Sequence, residues 1–472
     1  GPAPWFADLA KSFNGELAYE HVQALSEMEG RRIGQLGGQA AVNYLLDRFE
    51  EYGLEPGGED GAYLHQHSTQ TVHPLEQPSL EFMDADGALV LSLRHQIDFS
   101  FIIQGHGGEG ATTAPITIVG FEPGLDSIHP QDFKGLDLRE RVVLLVEGNA
   151  PSDFSTEALI RGAQGILWVT LKGSPTFRSQ AFFADPNLDY LRTPQLPIFR
   201  VGQESIQSVL AEVDSSLQDV FTNETEAEQS GPGWFARDLR IRARMQLRLS
   251  EPEWIEVPSV LGYAPGSDFD LADEMVILFA RYDGLGADPD GTLFPSVNNN
   301  ASGVGVLLEL ARVWHEQNLD PRRSVMFAAW GGAEATPLGA REFFGDDGNF
   351  RKLPTRNFYA DLDPSYFFYI DQVGAGSEQL SIPVDASESL SNLLENAANE
   401  IGVAVAFEPE GASSKMDVFT EDLPWVRIHW AANSVPNPEA DRISQIEVEK
   451  LDAVGETLTL ALTKLVRQTV FR

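Results

Sequence analysis

The chain opens with two stretches of helical periodicity. Residues 17–29 place Val22, Leu25 and Met28 on one stripe, and residues 39–52 place Val42, Leu45, Leu46, Phe49 and Tyr52 on another, with Gly53 as a natural stop. From about residue 78 the pattern shortens. PSLEFMD, ALVLSL, ITIVGF and VVLLVEG are apolar runs bounded by Gly, Pro and Asp, which predicts strands. TEALIRGAQGILWV then predicts helix, turn and buried strand, TPQLPIFRV another strand, and GQESIQSVLAEV another helix. This block predicts a self-contained β-rich α/β insert, followed by a polar exit linker over 221–236.

Beyond the linker, residues 240–250 alternate as a strand with one exposed face. SVLGYAPG, EMVILFARYDG, SVMFAAWGGAE and YFFYIDQVG predict further strands, most running into small-residue loops, and a helix follows Asn300. Leu451, Val454, Leu458, Leu462 and Leu465 share one face of a final helix. Apolar strands alternating with helices predict an α/β fold, with a mixed, mostly parallel central sheet flanked by helices. The expected division is 1–109 and 237–472 as the two parts of the main domain, with 110–236 as insert and linker.

Composition narrows the function classes. The 472 residues are 42% apolar and 22% charged, as a packed globular protein requires. Against 33 basic residues stand 71 acidic ones, a net charge of −38 that argues against nucleic acid and anionic lipid as partners. Such a surface could take up calcium. There is no cysteine, so disulfides and thiolate metal sites are excluded. No run is long and apolar enough to span a bilayer. The Gly1-Pro2 start resembles a protease-cleavage remnant, so the expectation is that a leader or anchor has been removed.

Polar residues gather where the apolar strands end, the position at which open α/β sheets bind ligands. They are Arg281-Tyr282-Asp283, Asn298-Asn299-Asn300, Ala333-Glu334 and Asp371, with Asn437 and Asp441 later. The segments ARYDGLG, SVNNNASG, GAEATPLGA, IDQVG and NPEADR resemble, in order, the site loops of the M28 zinc aminopeptidases and their relatives glutamate carboxypeptidase and transferrin receptor. FKGLDLRERVVLLVEG and RGAQGILWV resemble the protease-associated (PA) domain that many of these proteins carry. The resemblance implies a zinc-peptidase-like fold over nearly the whole chain.

In that family two zinc ions are held by two His, two Asp and one Glu, and a second Glu is the general base. Carried over one at a time, the first His falls on Arg281, the bridging Asp on Asn299, the base on Ala333 and the last His on Asn437. Glu334 and Asp371 keep the family's acids, and Asp283 keeps a loop-shaping place. Three of five ligand positions and the base are therefore changed. Zinc needs about four N, S or carboxylate donors, and arginine stays protonated and cannot ligate. Losing general-base assistance costs about 10²–10⁴-fold in rate. SSKMDVF places Lys415 and Met416 in a further segment near the family's pocket.

The resemblance with these departures implies a non-catalytic protein that binds or scaffolds, as transferrin receptor does on this fold. No catalytic residue and no cofactor is expected. The partner would be a protein or peptide, with a homodimer or larger assembly compatible with the fold, at an extracellular, periplasmic or cell-surface location. Two rivals remain. One is a hydrolase with a remodelled site, zinc-loaded or holding calcium or magnesium on Glu334, Asp371 and Asp283. The other is a structural subunit of an extracellular assembly. Arg281 is expected to pair with Glu334 or Asp371, standing in for the metal charge. Asn300 or Ser302 is expected to cap the following helix. His65 and His67 read as surface-strand histidines, GHGGEG at 105–110 as a flexible turn, and Asn223 as a sequon that matters only in a eukaryotic secretory setting.

Overall fold

The computed structural model describes residues 8–103, 105–121, 133–148, 150–151, 154–171, 182–183, 194–213, 216–217, 234–332, 363–408, 423–432 and 438–467. The chain forms two compact units: residues 1–68, 255–287 and 293–472, and residues 69–254 with 288–292.

The first unit begins with helices α1 (Gly15–Ser26) and α2 (Leu36–Glu51). Asn14 caps α1 by accepting from Glu16 N at 2.9 Å. The helix buries Val22 and Leu25 as the periodicity predicts, but stops short of Met28. Helix α2 starts earlier than expected and buries Val42, Leu45 and Phe49. Gly53 follows at φ +62, a conformation other residues resist. Strand β1 (Leu64–Thr71) comes next.

The second unit holds β2 (Ser79–Asp84), β3 (Leu89–Leu93), β4 (Phe99–Phe101), β5 (Gly110–Phe121), β6 (Val142–Val146), helix α3 (Phe154–Ile160), β7 (Gly165–Thr170), β8 (Ile198–Gly202), helix α4 (Gln203–Ala211) and β9 (Trp234–Leu247). They make one eight-stranded sheet in the order β3-β2-β9-β5-β6-β7-β8-β4. β5, β6, β7 and β8 run parallel, and every residue of β6 is buried, as strands covered on both faces require. The unit is larger than the expected 110–236 insert. Residue 110 is the first of β5, paired with Leu247, and β2 pairs along β9 from Gln246↔Ser79 to Ile241↔Asp84. Backbone hydrogen bonding thus draws the segment from 79 into the same sheet. The linker expected to reach 236 ends inside β9, where Trp234 pairs with Phe121. Residues 221–233, with Asn223, lie outside the described residues. The 105–110 turn is pinned by a ring N–H of His106 donating to Pro194 O at 2.8 Å, rather than loose as its glycines suggest.

The rest of the first unit adds β10 (Glu253–Ala264), β11 (Glu274–Arg281), helix α5 (Ser302–Glu316), β12 (Ser324–Trp330), β13 (Asp363–Ile370), β14 (Gln379–Pro383), helix α6 (Glu388–Ile401), β15 (Ala404–Glu408), β16 (Trp425–Trp430) and helix α7 (Val448–Arg467). The main path of the sheet is β15-β14-β16-β13-β11-β12-β10-β1. Its centre is parallel: β11 pairs in parallel with β12 and β13, and β13 with β16. β10 on β12 and β14 on β16 are antiparallel, so the sheet is mixed. Helix α5 buries nearly its whole length and approaches closely on both sides. A Cβ at Gly303 would sit 2.3 Å from Ile370 O, and one at Gly305 would sit 2.5 Å from Val22. Helix α7 buries Leu451, Val454, Leu458, Leu462 and Leu465 as the sequence predicts.

His21 locks α1 to α2. Its Nδ1 lies 2.7 Å from Tyr44 Oη and its Nε2 3.0 Å from Tyr52 Oη. Burial, with Arg48 and Arg312 nearby, lowers its pKa to about 4. The unfolded ring takes a proton below about pH 6.5, so between those values protons favour the unfolded chain. The stabilisation is complete above the unfolded value and is lost as the pH falls towards the folded one. Urea unfolding should show a loss on the order of 3 kcal/mol across this window. His21→Gln should remove this group's share of that slope and leave the share of other buried histidines.

Candidate functional site

The parallel strands β11, β12 and β13 deliver their carboxyl ends to one edge of the sheet. Just inside that edge three rings stack across neighbouring strands. Phe279 lies 4.2 Å from Trp330 and 4.8 Å from Tyr369 between ring centroids. Phe279 pairs with Tyr369 in register, so two residues further on Arg281 falls opposite Asp371. Tyr369 also pairs with Arg427 on β16, which brings Arg427 diagonally to the same carboxylate.

Asp371 is buried at 4% exposure. Its Oδ1 accepts from Arg281 Nη2 at 3.2 Å, and its Oδ2 from Arg427 Nη2 at 2.7 Å and Nε at 3.1 Å. Both guanidinium groups lean over the Tyr369 ring, 5.8 and 6.0 Å from its centroid. Burial alone would raise the Asp371 pKa. Arg427 and Arg281 outweigh it and hold the carboxyl below its usual range. At about 4 Å and an effective dielectric near 20, each such pair attracts by about 4 kcal/mol before desolvation. Burial pushes the Tyr369 hydroxyl up, although the two arginines oppose it. Beside this group His429 Nε2 lies 2.9 Å from Glu408 Oε1.

The three asparagines are consumed by loop architecture. Ser296 enters the loop at φ +50, and residues Val297–Ala301 form a π-type turn. Asn298 N donates to Asp441 Oδ1 at 2.7 Å and Asn299 N to Oδ2 at 2.9 Å. Asn298 Oδ1 accepts from Gly374 N at 2.8 Å, and Asn299 Oδ1 from Gln372 Nε2 at 3.4 Å. Asn300 Nδ2 donates to the carbonyl of Asp283, itself buried. Ser302 Oγ donates to Asn298 O and accepts from Val373 N. The expectation that Asn300 or Ser302 caps α5 is therefore corrected: the anion at the head of this segment is Asp441, from far along the chain. Arg31, buried, closes the other side, with Nε donating to Tyr282 O at 3.2 Å and Nη2 to Pro295 O and Ser296 O at 2.8 Å.

The structure thus brings together Arg281, Asp283, Asn299 and Asp371 around one strand edge. Ala333, Glu334 and Asn437, with Lys415 and Met416, lie outside the described residues. The pairing expected of Arg281 is made with Asp371. Arg427 was missed, although a charged residue inside the apolar run WVRIHW was a signal. Arg31 carried no comparable one. His65 is buried rather than at the surface, 3.0 Å from Glu59 Oε1 through Nδ1, and His67 is half-buried. Burial, then His65, lowers the His67 pKa to about 4. Among the described residues no three His, Asp or Glu side chains converge as a metal site would need.

Comparison with known proteins follows the same lines. Residues 260–461 match the family profile described as Peptidase family M28. Transferrin receptor protein 2 of Rattus norvegicus is 23% identical over 376 residues, 71% of this chain and 44% of that protein. The Mus musculus protein of the same name is 24% identical over 371 residues, 70% and 43%. The chain spans less than half the length of these relatives. An aminopeptidase from Aneurinibacillus sp. strain AM-1 superposes with a TM-score of 0.66 at 17% identity, covering 99% of this chain and 97% of that one. BSAP, a zinc aminopeptidase from Bacillus subtilis, superposes with a TM-score of 0.58 at 18% identity, covering 98% and 97%. These likenesses place the fold among the zinc aminopeptidases. A zinc ion does not fit the described residues, because both oxygens of Asp371 are engaged by guanidinium N–H groups that bring two fixed positive charges.

Asp371→Asn leaves those two cations buried without their anion, and should cost about 3–5 kcal/mol in denaturant unfolding. The native carboxyl titrates below its unfolded value, so its contribution is complete above that value and is lost as the pH falls through the folded one. The gap between wild type and variant should therefore shrink in acid.

Proposed function

We propose, from the match of residues 260–461 to the profile of peptidase family M28, that the chain is a non-catalytic member of that family and works by binding or scaffolding. The observation that carries this reading is the clamp of Arg281 and Arg427 on Asp371. A guanidinium is protonated at any physiological pH, so this carboxylate is kept from a dication. Ala333, at the general-base position, has no group to take a proton from water. Without metal or base, water is not activated for attack near neutral pH. No cofactor is required for such a role.

The similarity to proteins named transferrin receptor supports a protein or peptide partner and a surface-facing or exported setting. The second unit, with its β5–β8 parallel core, would be the PA-like contact module. Among the described residues no helix is long and apolar enough to cross a membrane. A homodimer would be compatible with this role.

Elemental analysis after zinc saturation and desalting should find less than about 0.1 zinc per chain, with no aminopeptidase turnover. One or two zinc ions per chain would overturn the reading. Restoring Arg281→His, Asn299→Asp, Ala333→Glu and Asn437→His should still bind zinc poorly, because Arg427 remains on Asp371. Adding Arg427→Gln should raise zinc stoichiometry, a readout independent of catalysis.

A further inference from the structure

In a chain of net charge −38, five of the arginines fall within twelve residues, at 237, 240, 242, 244 and 248. From Leu239 onward buried and more exposed positions of β9 alternate, past an irregularity in its pairing with β5 between Asp238 and Arg242. Leu239, Ile241, Ala243, Met245, Leu247 and Leu249 are buried in the core of the second unit. Arg240, Arg244, Gln246 and Arg248 are exposed on the opposite face, with Arg242 half-buried among them. Arg244 pairs with Glu81 at 2.9 Å and Arg248 with Glu76 at 2.8 Å. Arg242 Nη2 donates to Thr113 O at 3.1 Å, Gln246 Nε2 donates to Glu76 at 3.0 Å, and no ion pair of Arg240 occurs among the described residues. Among the described residues, Arg240 and Arg242 therefore stand on this face without a carboxylate partner, beside Arg244 and Arg248, which have one each.

We infer that this face of β9 docks an extended acidic peptide segment. Alternate residues of a strand repeat at about 6.8 Å, so the regular part of the row, from Arg242 to Arg248, spans about 20 Å. An extended peptide with an acid at every second position carries its charges at the same repeat and meets the row in register. Each carboxylate can take two N–H bonds from a guanidinium fork. The chain's overall negative charge does not forbid this approach. At physiological salt, charges further off than about 8 Å are screened, and the local row dominates. The inference concerns the second unit alone and stands whether or not the Asp371 site is catalytic.

The test uses the full chain and a fluorescein-labelled peptide of alternating Glu and Ser, followed by anisotropy. Binding is expected at low salt and should fade as salt rises. Exposed ion pairs contribute about 0.2–1 kcal/mol each, so Arg240→Ser with Arg242→Ser should weaken binding about tenfold. Circular dichroism and thermal unfolding of this variant should match wild type, since neither side chain is in the core. A peptide of the same composition with its glutamates in adjacent pairs should bind more weakly. No binding of the alternating peptide, equal binding by the double variant, or equal binding of both peptides would overturn the inference. So would binding of a sulfated polysaccharide and not of the peptide.

Discussion

A carboxylate buried at the end of a parallel strand needs a counter-charge, and in this protein the counter-charge is part of the chain. Asp371 is reached by Arg281 from one neighbouring strand and by Arg427 from the other. The strand register makes this unavoidable, since Phe279, Tyr369 and Arg427 are paired across β11, β13 and β16. The stacked rings of Trp330, Phe279 and Tyr369 form an apolar floor beneath it. In that surrounding the ion group is shielded from water, and each member depends on the others being present. A metal could leave such a site, but a side chain cannot.

The loop above is built on the same logic. Charged groups terminate backbone that has no regular partner. Asp441 satisfies two amides of the asparagine turn, and Arg31 satisfies carbonyls on its far side. The asparagine side chains bond to backbone and to Gln372, so polar atoms of this loop are used for shape. This gives a physical reason for amides at 298–300: an added carboxylate at 299 would lie against a loop whose amides already hold one at 441.

The large features were legible in the sequence because they rest on periodicity. The parallel strands, the opening helices, helix α7 and the strand-end position of Arg281 and Asp371 all follow from apolar patterning. The misses came where a partner lies far away in sequence. Nothing near Asn298 announces Asp441, and nothing near Asp371 announces Arg427. The extent of the second unit was misjudged for the same reason. The strand 79–84 looks like any short strand until β9, more than 150 residues later, pairs with it. Local pattern predicts which face of a strand is buried, and long-range pairing decides what that strand belongs to.

The bond from Asp441 to the asparagine turn also bears on the order in which the molecule forms. The two ends of this contact are separated by 142 and 143 residues. Contacts between such distant positions close late, after loop-closure entropy has been overcome. During synthesis β11 and helix α5 emerge well before residue 441, so the turn between them has its sequence neighbours but lacks its anion. Its final shape must wait until the carboxyl-terminal region has cleared the ribosome. Until then the loop beside the strand edge that carries Arg281 lacks the carboxylate that completes it.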